Sequence, residues 1–276
     1  MKKFVVRSDM EGLFGVVNWE EVIPGTATYE KARSWLHWEV GALAEGLLMG
    51  GGDQVEIYDE HYFGLNLDAA LLPAGVTVIR GKPPYRADWP GGIDAHCAGL
   101  ILQGYHAMWG TVGGVLAHTY EPDIQAIWIN DALVGETGVE AAVAGELGVP
   151  LLLFLGDKHG AEEAQILVPG VETVVVKEGM GLQMGLCRSW PDVREEIVRK
   201  AAKVAESPPR SRPLRFDAPV KMIFKLGEGP FRQRFFDDHP DLFASKEEVV
   251  LTAPSVSVAW ARYWVLKDEI LAKINN

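Results

Sequence analysis

Short apolar runs rich in Val and Ile alternate along the chain with longer amphipathic stretches, and this alternation constrains the fold most. Strand-length runs separated by helix-length segments specify an α/β protein with a mainly parallel sheet and flanking helices. Strands are predicted near residues 3–8, 55–59, 76–80, 98–104, 124–129, 150–155 and 172–176, and helices near 28–50, 136–147, 158–167 and 192–206. The first helix stops at Gly50-Gly51-Gly52, because three glycines cannot sustain helical backbone cheaply. The last carries Val193, Ile197, Val198, Ala201, Ala202 and Ala205, an apolar stripe at helical spacing.

SPPRSRP, Ser207 to Pro213, breaks this pattern with three prolines in seven residues, which a helix cannot accommodate. Two units are expected: an α/β domain over 1–206 and a smaller C-terminal α+β portion over 207–276. The latter offers strands at Val220 to Phe224 and Val249 to Thr252 and a helix from Val256 to Ile274.

Composition narrows the partners. The net charge is −12 with no basic block, so neither nucleic acid nor an anionic membrane is an expected partner. No apolar run reaches the roughly 18 residues of a membrane-spanning helix. Arg7 interrupts the short apolar start MKKFVVRSDMEG, which argues against a signal peptide. Cys97 and Cys187 make no disulfide framework and read as buried thiols, so a cytoplasmic location is expected.

Polar residues able to do chemistry collect where the predicted strands end. Asp9 and Glu11 follow the first strand, and residues two apart on an extended chain point the same way. His61 follows VEIYD, with Asp59 placed to orient an imidazole. His106 follows GLILQGY, and Glu136 follows IQAIWIN at the start of a predicted helix. Alone, each has a plain explanation: a solvated loop, a surface histidine, or a glutamate favoured by the helix dipole. Together, four strand ends of one parallel sheet would deliver imidazole and carboxylate to the edge where α/β crevices lie.

Two histidines and three carboxylates exceed the needs of one four-coordinate zinc, and Asp9 could bridge two ions. The donor set suits zinc first, with manganese or cobalt as substitutes. His118, in GGVLAH, is a candidate for proton transfer beside the ions. Two other classes fit a strand-end metal site. A two-metal phosphoesterase lacks support from a phosphate-cradling glycine loop with lysine or an arginine clamp. A non-catalytic metal- or peptide-binding protein would leave His118 without a task.

The ordered series SDMEG, YDEH with Asn66-Leu67, GYHA, GGVLAH and INDALVGE resembles the M55 metallopeptidase family, which includes D-aminopeptidases. The resemblance spans roughly residues 1–180. It implies two zinc ions per chain, with Asp9 bridging, Glu11 and His61 completing one ion, and His106 and Glu136 the other. It implies that His118 is catalytic. It further implies aminopeptidase action on short peptides with a free N-terminus, some of D configuration. A ring-like homo-oligomer follows from it too, a decameric ring among the forms expected. The stretch between His106 and His118 departs from the family pattern, and the last 70 residues resemble it weakly.

Overall fold

The structure, a computed structural model, describes residues 1–274. Seven strands form one sheet: β1 (Lys3–Ser8), β2 (Gln54–Asp59), β3 (Val76–Ile79), β4 (Cys97–Tyr105), β7 (Leu151–Asp157), β8 (Glu172–Gly181) and β9 (Met184–Cys187). Their order is β3-β2-β1-β4-β7-β8-β9. Every pairing is parallel except the β8–β9 hairpin at one edge. The expected mainly parallel sheet is therefore present. The central strand β4 is buried along almost its whole length, as parallel strands covered on both faces must be.

Helices α1 (Ala27–Met49) and α4 (Trp190–Glu206) cover one face. They pack closely through small residues: a Cβ on Gly46 would lie 2.5 Å from the Val198 carbonyl oxygen, and one on Gly50 would lie 2.2 Å from that of Ala202. Glycine thus sets the distance between the two helices. Helices α2 (Glu136–Glu146) and α3 (Lys158–Leu167) cover the other face.

The run at 124–129 does not join the parallel sheet, contrary to expectation. It forms β5 (Ile124–Ile129), which turns straight into β6 (Ala132–Val134). The hairpin closes at Asn130, which sits at φ 53°, a conformation asparagine tolerates well. An apolar run alone does not distinguish a parallel from an antiparallel strand; this tight turn decides it. Strands β10 (Val220–Leu226) and β11 (Glu248–Ala253) complete a four-stranded antiparallel sheet of order β11-β10-β5-β6. Segments from both sides of the proline-rich stretch therefore build one layer. Helix α5 (Pro230–Asp238) occupies the polar stretch between β10 and β11, and α6 (Val256–Ile274) closes the described chain.

Helix α2 lies between the two sheets. Ala141 and Ala144 pack with the parallel sheet, and Val139, Ala142 and Val143 with the antiparallel one. That position explains why nearly all of α2 is buried and why its residues are small. Of the two cysteines, Cys97 is buried as expected, but Cys187 is exposed, because it lies on the edge strand β9. Among the described residues, no helix is long and apolar enough to cross a membrane.

Candidate metal centre

The polar strand ends converge above β1 and β4. The chain leaving β1 is pressed onto the end of β4, where the Asp9 amide donates to the Gln103 carbonyl (2.9 Å) and the Gly12 amide to that of Gly104 (2.7 Å). Gly104 has φ 74°, at a point where the β4–β7 register shifts. A Cβ there would lie 2.0 Å from the Asp9 carbonyl oxygen. This bulge lets β4 turn His106 toward Asp9, a recurrent use of bulges beside functional sites.

Two groups of three side chains result, Asp9–Glu11–His61 and His106–His118–Glu136. The ligand-capable atoms within each lie within 4.8 Å of one another. Asp9 faces both groups. Its Oδ1 is 3.0 Å from His61 Nδ1, and its Oδ2 is 3.5 Å from His106 Nε2. Glu11 Oε2 is 3.2 Å from His61 Nδ1. Glu136 Oε1 lies 3.5 Å from His106 Nε2 and 3.8 Å from His118 Nε2. The five residues expected as ligands and His118 are thus brought into one place. Glu136 arrives there from α2 in the interlayer, not from an end of the parallel sheet.

Each histidine has one ring nitrogen fixed by a backbone carbonyl. His61 Nε2 is 2.6 Å from the Val22 oxygen, His106 Nδ1 is 2.9 Å from that of Ala107, and His118 Nδ1 is 2.9 Å from that of Leu116. A carbonyl only accepts, so those nitrogens carry hydrogens. In a neutral imidazole the other nitrogen then presents a lone pair to carboxylate oxygens. Lone pairs and carboxylates that face one another in a buried site need a cation between them. Glu11 Oε2 and His106 Nε2 are buried and have no hydrogen-bond partner, which fits the same need. Without a metal ion, protons must serve. Burial pulls the His61 and His106 imidazoles down, but Glu11 and Asp9 around the first, and Glu136 and Asp9 around the second, outweigh it and hold both well above the usual histidine range. Burial pushes Asp9 up, yet the two imidazoles hold its carboxyl well below the usual carboxylate range.

Asp59 does not orient His61, as its position in the sequence suggested. It accepts from the Asn66 amide (2.7 Å), Asn66 Nδ2 (2.7 Å) and the Leu67 amide (2.8 Å), and so shapes the loop that follows His61. The Val22 carbonyl takes the orienting role. Sequence reasoning also missed the buried groups behind the site. Lys177 on β8 donates to the carbonyls of Glu11 (2.6 Å), Leu13 (2.9 Å) and Val16 (2.5 Å), pinning the loop that carries Glu11. Glu39 on α1 accepts from the Phe14 amide of the same loop at 2.7 Å. Trp19 packs edge-on against His118, whose ring stacks on His106 with centroids 4.2 Å apart.

Comparison with known proteins fits this geometry. The family model for M55 peptidases, described as D-aminopeptidase, matches residues 1–229. The chain belongs to the M55 D-aminopeptidase family. As an M55 peptidase it is a hydrolase of the metallo-aminopeptidase class. A D-aminopeptidase of Bacillus subtilis (strain 168) is 30% identical over 214 residues, which is 77% of each chain. The solved structure of the Zn-dependent D-aminopeptidase DppA from Bacillus subtilis, a self-compartmentalizing protease, superposes with a TM-score of 0.89 at 25% identity. That alignment covers 98% of both chains.

Proposed function

We propose that this chain is a dinuclear-zinc aminopeptidase that removes the N-terminal residue of short peptides, including residues of D configuration. The observation that carries the reading is the division of one buried carboxylate, Asp9, between two histidines on different strand ends. Asp9, Glu11 and His61 would hold one ion, and Asp9, His106 and Glu136 the other. When bound, the ions supply Lewis acidity toward a peptide carbonyl and lower the pKa of a water molecule. Manganese or cobalt would fit the same donors.

His118 is the residue proposed to move the proton. Its Nδ1 is held by the Leu116 carbonyl, its ring is fixed between Trp19 and His106, and Nε2 faces the site. It is also less buried than His106, as a group that meets substrate must be. Its Nε2 lies near enough to Glu136 to make it an alternative ligand of the second ion, and metal content separates the two roles. A phosphoesterase reading is disfavoured because Arg7 and Lys177 are already engaged. Arg7 lies against Glu60 and Glu140, each at 3.2 Å, and donates to the Pro90 and Gly91 carbonyls. The Lys177 ammonium is taken by three carbonyls. We further propose a homo-oligomer, by analogy with the self-compartmentalizing relative, and a cytoplasmic location, on the ground of two free cysteines without a disulfide framework.

Elemental analysis of the protein and its Asp9→Ala variant, beside hydrolysis of matched D- and L-dipeptides, tests the reading. About two ions per chain, a sharp loss in the variant and cleavage of peptides with a free amino end are expected. A parent that takes up no metal from zinc or manganese solution would defeat it.

A further inference from the structure

The two groups of ligand-capable side chains have separate supports. Those of the first are Lys177, Glu39 and the Val22 carbonyl, described above. The second is backed by a different residue, Glu163 on α3, which is buried. Its Oε2 accepts the Met108 amide at 3.0 Å and its Oε1 the Gly135 amide at 3.1 Å. Met108 is two residues after His106, and Gly135 immediately precedes Glu136. One carboxyl therefore ties the backbone that delivers the imidazole, from the parallel sheet, to the backbone that delivers the carboxylate, from the interlayer helix.

Packing around Glu163 is tight enough to make this tie rigid. A Cβ on residue 135 would lie 2.5 Å from Glu163 Oε1 and 2.7 Å from the Met108 side chain, so glycine is what admits the carboxyl. Helix α3 also rests directly on the histidine, since a Cβ on Gly160 would lie 2.9 Å from the His106 carbonyl carbon. Both hydrogen bonds of Glu163 go to the second group's backbone.

We infer that Glu163 is a positioning residue that sets His106 and Glu136 relative to each other, so that one of the two ions depends on it and the other does not. This rests on the two-ion reading above. Groups that orient metal ligands are typically worth about 10–100-fold in metal affinity. The test is metal content and chelator competition on the parent, Glu163→Ala and Glu163→Gln, each first checked for folding by circular dichroism.

The parent is expected to hold two ions. Glu163→Ala should keep one with parental affinity and bind the other at least about tenfold more weakly. Glu163→Gln, which retains one acceptor oxygen, should fall between. Adding His61→Ala to Glu163→Ala should strip the remaining ion, whereas adding His106→Ala should change little. Two ions at parental affinity in Glu163→Ala, or equal weakening of both, would overturn the inference. Should Glu163→Ala fail to fold, Glu163→Gln decides by the same criterion. A parent holding fewer than two ions would sink the two-ion reading itself, and the inference with it.

Discussion

Glu39 offers a test of the site's internal supports by pH alone. It is fully buried in the middle of α1, with Oε1 accepting the Phe14 amide (2.7 Å) and Oε2 accepting Gln103 Nε2 (3.0 Å). Burial pushes its carboxyl up to about 7; those two donors and the Lys177 charge offset only part of that. Between the ordinary value of 4.5 and about 7, the folded chain keeps a proton that the unfolded chain releases. Stability from this group is therefore full below pH 4.5 and is lost as pH rises through about 7. At roughly 1.4 kcal/mol per pH unit, the loss is about 3 kcal/mol. Glu39→Gln cannot ionise, so it removes the pH dependence and leaves a constant offset of about 1 kcal/mol for its weaker hydrogen bonding. Urea unfolding of both proteins, metal-free and at one fixed protomer concentration, gives the difference at each pH. The variant should gain about 3 kcal/mol on the parent between acid and neutral pH and nothing further above pH 8. Two profiles that stay parallel would refute the reasoning and mean that Glu39 has the same pKa in the folded and the unfolded chain.

Further perturbations address the chemistry and the loop after β1. His118→Ala is expected to retain both ions and lose about 10²–10⁴-fold in turnover, the usual contribution of a proton-transfer group; loss of one ion would make it a ligand, and full activity would remove it from the mechanism. Gly12→Ala puts a Cβ 1.8 Å from the Tyr105 carbonyl oxygen. It should cost about 1–3 kcal/mol and displace Glu11, seen as weaker metal retention in chelator competition. The control Gly41→Ala meets nothing within 4 Å in α1 and should raise thermal stability slightly, by about 1 kcal/mol.

The parallel sheet was legible because its central strands β4 and β7 are nearly continuous apolar runs and the others carry Val and Ile at crossover spacing, and the two-residue period made Asp9 and Glu11 a pair. The polar residues at those strand ends could be picked out for the same reason. Three features could not be read. The run at 124–129 looks like any buried strand, and only the turn at Asn130 and pairing with a strand some 90 residues later place it in the second sheet. Glu39 and Lys177 occupy positions in a helix and a strand where charged residues are usually solvated. Their burial follows from where the loop of residues 9–17 descends, which sequence periodicity does not encode. Asp59 has the spacing of an imidazole partner, but the loop at 61–67 turns its amides toward that carboxylate first.

The interlayer position of α2 also makes its packing depend on residues far along the chain. Glu136 heads a helix whose outer side packs against β10 and α6, and whose final residue, Glu146, receives the backbone and hydroxyl donors of Val256 and Ser257. A ribosome has made more than a hundred further residues before those partners exist. The Glu136 end of α2 is tied to Glu163 and to the parallel sheet, whereas the Glu146 end lacks its partners until α6 emerges. A chain stopped short of α6 thus leaves the Glu146 carboxylate without the donors that it meets in the folded protein, at the far end of the helix that carries Glu136.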